Sequence, residues 1–526
     1  MQSKIGIFLG HAPGHLKGNE GIVKLFLSLL NSKQFQNIVI AVPNWSFKEI
    51  HLLLKEKVNV NPENIEILST GSRIHYSFFI WNQCKKLLKK LSTRRSTAKK
   101  SYGKYLDSIC KVFLKLSSRY FLFFILLLPI LISTILFYFI WNFSEKLLFF
   151  LKKKYGSRIK DKIKKIPRSL LQPLAKIKNN FFVRRFYSEV KEREFKRLVK
   201  LINRRKDIKV WYIPAACWPE ISKIKAKKII AIPDVVFVEF PFLFSGVINE
   251  FNYQKIKSTL RIDAQFICFS EHVKKHHLTK LIEPPREKVT IVRHGYTDLS
   301  FHLKQVKENP TDAALQIMDS FQKTQLHNHP YLKGFYLPSM RFIFYSSQVR
   351  PHKNFLNLVK AYEVLLRKRF VNIKLVITGN PAHQTELNNY IHSRRLQYDI
   401  LSLYDVADEV LAALNHLAIC AVNPTLFEGG FPFTFSEAYS VGTPSVMSRI
   451  PVVLEESEDE SLNSIMLFDP YSVDDMVNKI EWGVKNRDDL YQLQRGLYEK
   501  FAVRNWDIVA KEYVDLFEHA EAPVVV

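Results

Sequence analysis

Short apolar runs that close on a glycine or a turn recur on both sides of a long basic interruption, and this recurrence constrains the fold most. Residues 5–9, 38–42 and 65–68 read as strands before the interruption; 210–213, 228–232, 266–269 and 289–292 read as strands after it. Strand signals alternating with helical ones argue for one parallel α/β domain, so the two sides should share a sheet. A second series follows, with 341–346 as its first strand, 355–368 as a helix and 373–378 as a strand ending at Gly379. Between the two series, 301–340 reads as a linker with one helical piece at 312–323 and a turn at Asn309-Pro310. A chain of 526 residues, 47% of them hydrophobic, can build two such cores.

The interruption holds nearly all the net charge. Residues 85–206 carry 34 Lys and Arg against 6 Asp and Glu, which is +28 of the chain's formal +29. Acidic membrane surface and nucleic acid are the general partners of such a stretch. Two features favour the membrane. Between Arg119 and Glu145 there is no charged residue, a length comparable to a bilayer span; and the basic region's aromatics form no nucleic-acid module. A single crossing would separate strands that should pair. Pro129 inside the apolar run permits instead a helical hairpin, at about 120–151, that enters and leaves by one leaflet. Basic residues on both flanks suit a cytoplasmic membrane face. The five cysteines are scattered without metal-ligand spacing and read as reduced thiols, and the first apolar run is too short for a secretory leader.

Chemistry concentrates in residues 421–446. A short buried strand, 417–422, leads into Pro424-Thr-Leu-Phe-Glu-Gly-Gly430, and a helical segment then runs through Phe435-Ser-Glu-Ala-Tyr439 until Gly442. A strand, a Gly-Gly turn and a helix start place backbone N–H groups where a phosphate can bind. Glu428 and Glu437 bracket the loop, and carboxylates accept hydrogen bonds from hydroxyls. Phosphate and hydroxyls together describe a nucleotide sugar.

Residues 341–515 resemble the nucleotide-binding half of the family-4 retaining glycosyltransferases of the GT-B fold. The likeness runs through Ser346-Ser-Gln-Val-Arg-Pro-His-Lys-Asn354, Leu375-Val-Ile-Thr-Gly379, Val406-Ala-Asp-Glu-Val-Leu-Ala-Ala-Leu414, Pro424-Thr-Leu-Phe-Glu-Gly-Gly430 and Ser436-Glu-Ala-Tyr-Ser-Val-Gly-Thr-Pro444. The resemblance implies two Rossmann-like domains facing a cleft; the charge and apolar run read above add a basic and apolar membrane-associating helical insert in the first. By it, Lys353 takes the position of a lysine that contacts the donor diphosphate. Gln348 stands where the family often has an arginine, and Arg350 is its candidate substitute. Glu428 corresponds to the glutamate near the donor sugar hydroxyls and Glu437 to the one on the ribose. Further donor contacts are expected from Gly429, Gly430, Phe431, Gly379 and Thr443, and across the cleft from Gly18 or Gly21. The loop between the glutamates is one residue longer than the family's, with Pro432 one place early. Pro233-Asp234 occupies the place of the family's His-Asp pair.

The organisation expected is an acceptor-side domain in two parts, 1–84 and 207–300, around the insert 85–206. The linker 301–340, a nucleotide-sugar domain 341–505 and a crossing helix with tail, 506–526, follow. The resemblance implies a retaining, metal-independent transferase with no cofactor beyond its nucleotide-sugar substrate. Its acceptor is expected to be lipid-linked or a surface polysaccharide, at the cytoplasmic side of the membrane, with anionic lipid held by 85–206 and no nucleic acid. An inactive GT-B-like membrane scaffold of a polysaccharide assembly complex is the alternative, suggested by the altered loop and by Gln348.

Overall fold

The computed structural model describes residues 4–11, 30, 37–57, 65–71, 181–244, 247–282, 288–325, 339–404 and 406–521. Gly18, Gly21, Cys84, Cys110 and the hairpin expected at 120–151 lie outside the described residues. Among the described residues no helix is long and apolar enough to cross a membrane.

The first sheet contains β1 (Lys4–Phe8), β2 (Ile38–Val42), β3 (Ile65–Ser69), β4 (Ile208–Ile213), β5 (Lys227–Ala231), β6 (Gln265–Cys268) and β7 (Val289–Ile291). Their spatial order is β3-β2-β1-β4-β5-β6-β7. Every neighbouring pair is parallel. Ile5 faces Ile38 on one side and Val210 on the other, so strands from both sides of the interruption lie edge to edge. Strands this apolar need cover on both faces, and all five residues of β2 are buried.

The second sheet repeats the winding, in the order β10-β9-β8-β11-β12-β13. It comprises β8 (Phe342–Tyr345), β9 (Lys374–Ile377), β10 (Ile400–Ser402), β11 (Cys420–Asn423), β12 (Ser445–Ser448) and β13 (Leu467–Phe468). In both sheets the order reverses beside the first strand, between β1 and β4 and between β8 and β11. Crossovers diverge there to opposite faces and leave a crevice at the carboxyl ends of the strands.

Helical cover shifts two of the expected boundaries. The stretch read as basic insert up to Lys206 ends in the helix Phe181–Ile202, which buries Phe195, Leu198, Val199 and Ile202 against Phe8, Trp211 and Ile213. That spacing is one helical face; Lys196, Arg197 and Lys200 lie on the other, so a count of charge concealed the apolar stripe. Glu194 is buried there, accepting hydrogen bonds from the Asn44 N–H at 2.7 Å and the Thr70 hydroxyl at 2.5 Å.

The region read as a linker, 301–340, likewise carries core. Its helix Pro310–Gln325 buries Ala313, Ala314, Ile317 and Met318 beside Phe342 and Phe344 of β8. On the opposite face of that sheet lie the helices Phe355–Arg367 and Val473–Lys485. The last helix, Trp506–Glu521, returns to the first domain, where Val509, Ala510, Tyr513 and Phe517 pack on Ile7, Ile40, Val210 and Tyr212.

Candidate active site

The loops leaving β8 and β11 meet at the switch point of the second sheet. Tyr345, the last residue of β8, donates its hydroxyl hydrogen to the Lys353 carbonyl at 3.2 Å. Burial, and then the charge of Glu428, keep that phenol well above its ordinary pKa, so it stays a donor. The Leu426 N–H donates to the His352 carbonyl at 2.8 Å, which ties the two loops together. Asn354 sits in left-handed backbone at φ 55° and donates through its side-chain amide to the Pro470 carbonyl at 2.8 Å.

Held this way, Lys353 pairs with Glu428. The two side chains are 17% and 21% exposed, so the pair keeps contact with solvent. Arg350 lies on the same loop and donates to the Gln348 side-chain oxygen at 3.0 Å. The positive field is felt nearby: burial first, then the charges of Lys353 and Arg350, lower His352 to about 3. Glu437 is buried within the helix Phe433–Tyr439, which starts after Pro432. Two cations, two carboxylates and a turn at strand ends can hold an anionic diphosphate and sugar hydroxyls.

The glycines of the loop are packed for close approach. A Cβ on Gly429 would lie 2.3 Å from the Pro233 carbonyl oxygen, and one on Gly430 would lie 3.0 Å from the His294 ring. Both contacts are with the first domain. Gly379 serves its own domain, since a Cβ there would meet the Ser347 carbonyl at 2.8 Å. Phe431 turns its ring away from the crevice, onto Phe501 at 4.3 Å and Phe435 at 5.6 Å. Thr443 is not brought to the cleft. It is fully buried just before β12, at the amino end of the strands, and its hydroxyl donates at 2.6 Å to the Asn415 carbonyl at the end of the helix Asp408–Leu417.

The first domain closes over this loop. The Ser270 hydroxyl donates to the Gly429 carbonyl at 2.9 Å, the Thr297 N–H to the Ser436 hydroxyl at 3.1 Å, and the Tyr296 N–H to the Arg504 carbonyl at 3.1 Å. The acidic run 455–460 is part of the closure. Glu455 accepts from the backbone N–H groups of Glu271, at 3.0 Å, and His272, at the start of the helix Val273–Ile282. Glu456 pairs with Arg293 at 2.5 Å, and Asp459 caps the helix Glu460–Met466. No sequence signal could have marked Glu455, because its partners stand 183 and 184 residues away. Tyr345 was more legible: a hydroxylated ring at the end of a buried strand needs a partner.

Two facing Rossmann-like domains, alike in the order of their first six strands and each presenting its strand ends to the other, define a GT-B protein. Within it, residues 338–500 match the family model described as glycosyl transferases group 1. A search of curated protein sequences gives no significant match. Among solved structures, the chain is similar to Anabaena HepE in complex with UDP-glucose, with a TM-score of 0.54 and 10% identity over 98% of this chain and 100% of that one. It is also similar to the Candida albicans trehalose-6-phosphate phosphatase N-terminal domain, with a TM-score of 0.56 and 10% identity over 99% and 98%. A glycosyltransferase from Rickettsia africae gives 0.50 and 11% over 98% of each chain. Identities this low speak to the fold.

Proposed function

We propose that the chain is a retaining, metal-independent glycosyltransferase that moves a sugar from a nucleotide donor to a lipid-linked or surface-polysaccharide acceptor at the cytoplasmic membrane face. The observation that carries the reading is the Lys353–Glu428 pair, with Arg350 beside it, at the switch point of a group 1 domain. On this reading the donor diphosphate draws Lys353 and Arg350 to itself, and the freed Glu428 accepts from the sugar hydroxyls. Charge that builds on the departing diphosphate is what such cations stabilise. The UDP-glucose bound in the similar Anabaena structure makes UDP-sugars the first donors to try. The membrane half of the reading is supported by sequence alone, through the uncharged run 120–144 and the basic stretch around it.

The test is sugar transfer from UDP-sugars to a lipid-borne glycoside in phosphatidylglycerol vesicles. Wild-type protein should turn over, and Lys353→Ala and Glu428→Ala should each lower kcat/KM by about 100-fold or more, the loss expected for one charged contact to a developing anion. Full activity in both variants would remove the site assignment. Equal activity on vesicles lacking anionic lipid would remove the membrane part.

A further inference from the structure

Opposite the donor loop, the first domain offers one carboxylate whose surroundings no contact so far described accounts for. Asp234 follows β5 at the point where the domains touch. A Cβ on Gly429 would lie 2.3 Å from the Pro233 carbonyl oxygen and 3.7 Å from the Asp234 Cβ, so the Asp234 side chain leaves its backbone beside the Glu428-Gly429 turn. One carboxylate oxygen is committed: it accepts from the Val236 N–H at 3.1 Å and opens the short helix Val236–Glu239. The next N–H, that of Val235, donates to His277 Nδ1 at 3.1 Å, which fixes the backbone on this side too. The second oxygen makes no hydrogen bond to a described residue. The charges of Glu428, Lys353 and Arg350 all act on this group, so it shares their crevice.

We infer that Asp234 is the acceptor-binding carboxylate of the cleft, its second oxygen taking the hydrogen of a hydroxyl on the incoming acceptor. The inference rests on the glycosyltransferase reading. Lys353 and Arg350 lie on the loop that would take the donor's anion, and Glu428 belongs to the same side. The facing carboxylate is therefore left for the other reactant, and it is held rigidly, as orientation of a nucleophile requires. A carboxylate takes a hydroxyl and repels an anion, so the acceptor terminus that enters is an uncharged, hydroxylated sugar and not a sugar phosphate. Burial first, and then the neighbouring Glu428, raise the pKa of Asp234.

The experiment uses the full chain, a UDP-sugar donor, and octyl hexosides with and without a terminal phosphate as acceptors. Asp234→Asn keeps an oxygen for the Val236 N–H, so the fold and the thermal shift on adding UDP should persist, as should slow donor hydrolysis without acceptor. The KM for the uncharged octyl hexoside should rise by about 10- to 100-fold, the loss of one hydrogen bond to a charged group. Discrimination against the phosphorylated acceptor should shrink as well. An acceptor KM within about twofold of wild type, or a parallel fall in donor hydrolysis, overturns the assignment of Asp234 alone. Wild-type protein that neither shifts with UDP nor hydrolyses any donor overturns the glycosyltransferase reading, and Asp234 with it.

Discussion

Single residues at the domain junction are tuned by what surrounds them more than by their type. His277, His294 and His352 are each lowered to about 3, in every case with burial as the largest cause. His277 stacks on Phe427 at 4.7 Å, and His294 lies 4.1 Å from Phe269 and 4.8 Å from Phe433. Each ring is neutral in the folded protein, whereas an unfolded histidine takes a proton below about pH 6.5. Their contribution is therefore complete above that pH and is lost as pH falls toward 3. Each can remove up to about 1.4 kcal/mol per pH unit in this window. The expected outcome is a melting temperature that drops steeply between about pH 6 and pH 4. Replacing His294 with Phe should flatten that slope by about a third; an unchanged slope would show that the ring is not held neutral.

Helices that sequence assigned to charge or to linkage turn out to carry packing. Phe195 is fully buried, 6.0 Å from the Phe8 ring and 5.9 Å from that of Trp45, within a helix whose other face is basic. Phe195→Ala should cost about 3–5 kcal/mol in a denaturant titration, while Lys196→Ala on the exposed face should cost under about 0.5 kcal/mol. Equal small effects would mean that the helix only rests on the domain. The same physics explains the reach of sequence at this scale. Strands such as β2 and β8 are legible because every residue is apolar. By contrast β10, with three residues, and β13, with two, are too short to show any period and are set by their neighbours.

At the scale of the molecule, two domains are held over one crevice by contacts that no local pattern announces. Glu455 gathers two backbone N–H groups from the other domain at a helix start, and Glu456 adds an ion pair to Arg293. A carboxylate at such a position gains from both the hydrogen bonds and the helix dipole. Removing it in Glu455→Ala should loosen closure without unfolding either domain. Small-angle scattering should then show a larger radius of gyration, while far-UV circular dichroism stays the same. An unchanged radius would assign closure to the Gly429 and Ser270 contacts instead.

Sequence by itself determined the two α/β series, the concentration of charge in 85–206, and the loops that carry Lys353, Glu428 and Glu437, because strand periodicity and Gly-rich turns are local properties. Tertiary structure decided what those loops meet: Lys353 against Glu428, Gly429 against Pro233, and Asp234 facing both. It also put Thr443 at the amino end of the strands and laid Phe431 against Phe501 and Phe435, although both stand within or beside the same motif. A motif fixes spacing along the chain, but alternate ends of a parallel sheet lie only a few residues apart. Which end a residue reaches depends on whether the chain places it before or after its strand, because all strands of the sheet run the same way.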